Sequence, residues 1–105
     1  MIIEANSSSF EQLIGKGITL VKFTADWCTY CRMIEPMLQQ LAQELDGKAT
    51  VAELNTDYNS ELTASYDVMA IPTVIIFKDG KEMKRMVNVQ NKEEYLRVVD
   101  ELLTM

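Results

Sequence analysis

The stretch Phe23-Thr24-Ala25-Asp26-Trp27-Cys28-Thr29-Tyr30-Cys31-Arg32 decides how this chain is read, because it joins two periodicities at a pair of cysteines. Leading into it, Ile18-Thr19-Leu20-Val21-Lys22-Phe23 is nearly continuous in apolar and β-branched residues, the pattern of a central strand covered on both faces. Lys22 is an odd occupant of such a strand. Following it, Met33, Ile34, Met37, Leu38, Leu41 and Leu45 recur at helical spacing, so a helix is expected from about Cys28 to Leu45, with Gly47 as its stop. It is expected to be the longest helix and to bend at Pro36, because proline supplies no amide and crowds the preceding turn.

The cysteines thus fall where a strand exits and a helix begins. Two residues three apart on one helical face lie about 5–6 Å apart, a span that a disulfide can close. At the helix amino end, free amides and the macrodipole favour a thiolate at Cys28, whereas Cys31 is one turn deeper and more shielded. That asymmetry assigns attack on a substrate disulfide to Cys28 and resolution of the mixed disulfide to Cys31, which leaves the substrate reduced and this chain oxidised. The plainer alternatives are a structural staple, or half of a metal site completed at a dimer interface. A four-residue staple would remove little chain entropy.

Composition narrows the remaining chemistry. With 105 residues, 48% hydrophobic and 25% charged, and only four Gly and two Pro, the chain is expected to form one compact domain over residues 1–105. Ten basic against sixteen acidic residues give a formal charge of −6, which repels phosphate backbones and anionic membrane surfaces, so neither nucleic acid nor membrane is an expected partner. The absence of histidine excludes Ser-His and Cys-His catalytic pairs, and two cysteines cannot complete a tetrahedral thiolate-imidazole zinc site within one chain. Met1-Ile2-Ile3 gives way at once to Glu4 and the polar Asn6-Ser7-Ser8-Ser9, so no signal peptide is read and no transmembrane run follows. The expected location is cytoplasmic, where a close Cys pair is more often catalytic than structural.

The rest of the chain supplies the frame. Ser8-Ser9-Phe10-Glu11 fits a capping box opening a short helix that ends near Gly15-Lys16-Gly17. Thr50 to Asn55 reads as a second buried strand, and Asn59 to Tyr66 as a short helix capped by Asp57 or Asn59. Thr73 to Phe77 is a strand that Asp79-Gly80 turns into an antiparallel partner, Lys81 to Val89. A terminal helix follows, capped by Asn91 and Glu94, with Tyr95, Val98, Val99, Leu102 and Leu103 as its inward stripe and a solvated acidic face. The methionines at 33, 37, 69, 83 and 86 read as flexible filling. The order is β-α-β-α-β-α-β-β-α, an α/β fold with a mixed sheet and helices on both faces.

Over essentially its full length the chain resembles the thioredoxin family. The resemblance is carried by Trp27-Cys28-Thr29-Tyr30-Cys31, by Pro36, by Ile71-Pro72-Thr73 about forty residues further on, and by Lys78-Asp79-Gly80-Lys81. It implies a thioredoxin fold with Pro72 in the cis form facing the disulfide, so that neighbouring backbone can pair with an extended substrate strand. It further implies a substrate groove lined by Trp27, Ala70, Ile71, Pro72 and Val87, with Thr29 and Tyr30 between the cysteines. The implied partners are disulfide-containing proteins and a flavoprotein thioredoxin reductase; a monomer is the default expectation for a domain with one open groove, and no cofactor or metal beyond the Cys28-Cys31 disulfide is expected.

Departures from the family pattern bear on specificity and redox poise. Thr29-Tyr30 stands where the family usually has Gly-Pro, Thr24 replaces an aromatic residue, and Asn88 replaces a glycine at the substrate rim. A tyrosine before the second cysteine resembles glutaredoxins, but the rest of the chain follows the thioredoxin pattern. Where the family has a buried acid that exchanges the resolving thiol's proton, this chain has Lys22, and where the family has the partnering lysine it has Glu53. Asp26, in the loop before Trp27, is not the missing acid. Either Lys22 and Glu53 together perform the proton transfer, or they form an ion pair that serves packing alone.

The leading functional reading is a protein-disulfide reductase. A less reducing exchange catalyst, isomerase-like or glutaredoxin-like, is its chemical neighbour, because Thr29-Tyr30 and Lys22 could both stabilise the reduced state. Outside enzymology stand a binding scaffold and a carrier whose cysteines from two chains hold an iron-sulfur cluster.

Overall fold

A computed structural model describes all 105 residues. Five strands, β1 (Ile2–Ala5), β2 (Ile18–Thr24), β3 (Thr50–Asn55), β4 (Thr73–Lys78) and β5 (Lys81–Val87), make one sheet in the order β1-β3-β2-β4-β5. β3 runs parallel to both β1 and β2, while β4 is antiparallel to β2 and β5 to β4. The helices are α1 (Phe10–Ile14), α2 (Thr29–Met33), α3 (Glu35–Glu44), α4 (Ser60–Ser65) and α5 (Lys92–Leu103), with a 3₁₀ turn at Thr56–Tyr58. The expected α/β order and mixed sheet are therefore present. The leading strand, to which the sequence pattern assigns no residues, occupies Ile2–Ala5 as an edge.

Strand alternation divides the core into two layers. Ile18 and Leu20 of β2 pack with Val51, Val74 and Ile76 against Leu38 and Leu41 of α3 and Tyr95, Val98 and Val99 of α5. Val21 and Phe23 face the other way, packing with Leu54, Ile75 and Phe77 against Phe10 and Ile14 of α1. Because Lys22 shares the parity of Leu20, it projects to the α3 side of the sheet. The side chains of Tyr95, Phe10, Phe23 and Phe77 are all below 2% exposed, which marks a fully formed core on both faces. The Tyr95 hydroxyl donates to the Val89 carbonyl at 2.7 Å, and burial pushes the phenol up to about 12, so it remains a donor.

At the hairpin, Asp79 (φ 51°) and Gly80 (φ 87°) both have positive φ, as a two-residue turn with the twist of its flanking strands requires. The Asp79 carboxylate accepts the Gly17 amide at 2.8 Å and the Gly80 amide donates to the Ile14 carbonyl at 2.8 Å, which locks the hairpin to the end of α1.

Several local expectations are corrected. The helix expected from Cys28 to Leu45 is two helices broken at Ile34, and Pro36 lies in the first turn of α3, where its missing amide leaves no bond unmade. The longest helix is consequently α5, with 12 residues. No Ser9 side chain caps α1; the Asn6 side chain takes the Ser8 and Ser9 amides instead. Neither Asp57 nor Asn59 caps α4 through its side chain: Asn59 is buried and ties Ser7 to Asn55, while Asn55 caps the 3₁₀ turn. β5 ends at Val87 rather than Val89, because Asn88 turns to φ 53° and donates its amide to Pro72. Asn91 caps α5 as expected, but Glu94 pairs with Arg97 rather than closing a capping box. Of the methionines, only Met86 is buried; Met33 and Met69 are exposed at 60% and 93%.

Candidate active site

β2 ends at Thr24, and the chain turns through Ala25-Asp26-Trp27 before α2 begins. Cys28 is the N-cap residue of α2, in extended conformation, and its Sγ accepts the Cys31 amide at 3.1 Å. A sulfur at this position meets an amide that no upstream carbonyl satisfies, an arrangement that favours negative charge on Cys28. Cys28 and Cys31 are joined as a disulfide with Cα atoms 5.3 Å apart, inside the span expected from their helical spacing. Both are buried, Cys31 at 1% and Cys28 at 5% exposure, and they pack with Ala25 and Ile71.

A second loop closes over the pair. The Ile71-Pro72 peptide is cis, as the resemblance implies. Its neighbours are fixed on both sides: the Thr73 hydroxyl donates to the Ala70 carbonyl at 2.6 Å, and the Asn88 amide donates to the Pro72 carbonyl at 2.9 Å. Pro72 is buried, Ile71 is half-buried and Ala70 is exposed. Around the pair and this loop, Trp27, Tyr30 and Val87 are 67%, 56% and 52% exposed, and Thr29 is exposed too. Trp27 is therefore a surface residue rather than core, and its indole nitrogen donates to Asp57 at 3.0 Å. Large apolar side chains left in water beside a reactive disulfide suit contact with another chain.

On the inner side of the pair lies a charged cluster. Lys22 and Glu53 are register partners on β2 and β3, as the sequence suggests, with Lys22 Nζ 3.6 Å from Glu53 Oε2. The shorter contact is one the sequence reading misses. Lys22 Nζ donates to Glu35 Oε2 at 2.6 Å and to the Cys31 carbonyl at 3.2 Å, which places the cation directly under the second cysteine. Lys22 is 2% exposed, so its charge is held by these partners rather than by water. Glu35 opens α3, the helix that covers this face of the sheet. No local signal marks it, because the break at Ile34 sets Glu35 in a different helix from Cys31 and its meeting with Lys22 depends on how α3 lies across the sheet.

Burial pushes the Glu53 carboxyl above its ordinary 4.5, and the negative charge of Glu35 pushes it further, together outweighing the pull of Lys22. Lys22, Glu35, Glu53 and Cys31 line one cavity of about 440 Å³, walled also by Asp26 and Arg32. Asp26 itself is exposed; its carbonyl takes the Arg32 guanidinium and its carboxylate the Asn55 side-chain amide.

A disulfide at a helix amino end, beside a cis-proline loop and an apolar rim, defines a thiol-disulfide oxidoreductase of the α/β class. Comparison with known proteins gives the family. The thioredoxin family model matches residues 1–101. The chain is 43% identical over 102 residues to thioredoxin of Staphylococcus epidermidis, covering 97% of this chain and 98% of that one. It is 40% identical to thioredoxin of Staphylococcus aureus with the same coverage. Among solved structures, a mutant thioredoxin from Halobacterium salinarum NRC-1 superposes with a TM-score of 0.86 at 28% identity, over 94% of this chain and 88% of that one. The chain belongs to the thioredoxin family.

Proposed function

We propose that this chain is a protein-disulfide reductase. Cys28 attacks a disulfide of a substrate protein, and Cys31 then displaces the substrate sulfur, forming the Cys28–Cys31 disulfide and releasing two substrate thiols. The observation that carries the reading is the placement of Cys28 as helix N-cap with its Sγ on the Cys31 amide, within a chain that matches thioredoxins over 97% of its length. Trp27, Thr29, Tyr30 and Val87 form the rim that meets the substrate, and Ala70, Ile71 and Pro72 offer backbone for strand-like pairing. Lys22 and Glu53 serve the proton exchange of Cys31.

The chain acts as one domain and a monomer, in the cytoplasm, with the disulfide as its only redox group, and is recharged by a flavoprotein thioredoxin reductase. No helix is long and apolar enough to cross a membrane, which accords with that location. The Lys22 cation and the Cys31 amide both favour the reduced, thiolate-bearing state, so a weaker reductant that exchanges disulfides is the second reading.

Incubation with an oxidised protein tests the roles. Cys31→Ser is expected to accumulate a mixed disulfide at Cys28 that dithiothreitol dissolves, and Cys28→Ser to form none. Turnover retained by Cys28→Ser, or an adduct on Cys31 in the wild-type order of events, contradicts the assignment.

A further inference from the structure

Lys22 is one buried cation between two carboxylates, Glu35 at 2.6 Å and Glu53 at 3.6 Å. The first distance is a charge-assisted hydrogen bond and the second lies beyond hydrogen-bond range. The cluster carries a net negative charge when both carboxyls are ionised, so one of the two is the less well held. It is Glu53, which also stands opposite Glu4 of β1 in register. The groups that face it are Lys22 from β2, Glu35 from α3 and Glu4 from β1, with Asp26 and Arg32 on the wall of the shared cavity.

We propose that Glu35 is a positioning residue that fixes the Lys22 ammonium beneath Cys31 and thereby leaves Glu53 as the carboxyl that takes the proton of the resolving thiol. This rests on the exchange order given above. The division of roles follows from geometry: Lys22 directs its donors to Glu35 and to the Cys31 carbonyl, while Glu53, 3.6 Å away, is the carboxylate left outside hydrogen-bond range. Cys31 and Glu53 line the same cavity of about 440 Å³, wide enough for a short water relay at roughly 30 Å³ per molecule. Desolvation and the Glu35 charge both raise the Glu53 carboxyl, which makes it a better proton acceptor than an ordinary carboxylate.

The step balances. With Cys28 bonded to a substrate sulfur, the Cys31 thiol gives its proton to the Glu53 carboxylate, and its sulfur forms a bond to Cys28 Sγ. The Cys28–substrate bond breaks and the substrate sulfur leaves with the electron pair as thiolate. The substrate is reduced by two electrons and the Cys28–Cys31 pair is oxidised. Glu53 then returns the proton to solvent through the cavity mouth, where it meets the released thiolate.

Mixing the reduced chain with excess chromogenic aromatic disulfide separates the two steps as two bursts of thiol, attack by Cys28 first and resolution by Cys31 second. In the wild type the second burst is expected to accelerate with pH through one carboxyl ionisation. Glu53→Gln is expected to erase that limb and slow the second burst relative to the first by about tenfold or more at neutral pH. Glu35→Gln frees Lys22 to pair with Glu53, so the limb moves to lower pH, and Glu35→Asp moves it back. A limb that persists in Glu53→Gln, or that stays in place in Glu35→Gln, overturns the proposal. Absence of the first burst, or loss of both bursts in the wild type, would instead overturn the Cys28-before-Cys31 order. Carbon NMR titration of the wild-type side-chain carboxyls needs no variant: one carboxyl above the ordinary range is expected and it must assign to Glu53, and its assignment to another carboxyl of the cavity refutes the proposal.

Discussion

Replacing Lys22 by methionine tests whether the charged cluster is an asset to the fold or only to the chemistry. Methionine nearly matches the aliphatic stem of lysine, so the β2 side of the core keeps its volume and only the ammonium is removed. The variant loses a charged hydrogen bond to Glu35 at 2.6 Å, by itself about 1.5–3 kcal/mol. Stripping one partner from a fully buried pair costs about 3–5 kcal/mol because the other charge is stranded. Here the stranded side chains retain 35% and 30% exposure, so water takes over much of their solvation. Removing the ammonium also lifts its own burial cost. The balance is a loss of about 1–2 kcal/mol at neutral pH, below the fully buried limit. For a chain of this size each kcal/mol lowers Tm by about 4–8 °C. Far-UV circular dichroism of the oxidised chain during thermal and urea unfolding measures it. The double variant Lys22→Met, Glu35→Gln should regain part of the loss, with a coupling of about 0.5–3 kcal/mol. A Lys22→Met chain as stable as the wild type at neutral pH would refute the reasoning, since it would mean that the ammonium's desolvation cancels all three of its contacts.

Two further outcomes follow from single groups. Tyr95→Phe strands the Val89 carbonyl that the phenol reaches at 2.7 Å and should cost about 1 kcal/mol without changing exchange rates, as read by urea unfolding and a single-turnover assay. The raised Glu53 carboxyl means the folded chain binds that proton more tightly than the unfolded chain. Its contribution is therefore fully present below the ordinary value of 4.5 and is lost as pH rises through the folded value, and Glu53→Gln should flatten this decline in unfolding free energy. An opposite slope would show that Lys22 outweighs burial at Glu53.

Much of the fold can be read directly because each strand and helix repeats its own period. The β2 run, the Thr73–Phe77 run and the Asp79-Gly80 turn need no tertiary information, and the cysteine pair is located by the junction it occupies. Helix boundaries are harder. Apolar spacing runs unbroken from Met33 to Leu45, so nothing in the pattern marks the break at Ile34, although Pro36 belongs equally well to a first turn. Caps escape a local reading where a side chain is drawn into a tertiary contact, as Asn59 is by Ser7 and Asn55, because local motifs compete with distant partners. The Lys22–Glu53 pair is legible from strand register. Glu35 does not stand out in the sequence, because its meeting with Lys22 depends on how α3 lies across the sheet.

The reduction potential of the Cys28/Cys31 pair, titrated against defined thiol and disulfide mixtures, tests most directly whether this chain runs as a reductase. A value close to about −270 mV is expected for a strong reductant despite Thr29-Tyr30 and the buried Lys22. A value above about −220 mV would contradict that direction and identify an exchange or oxidising role.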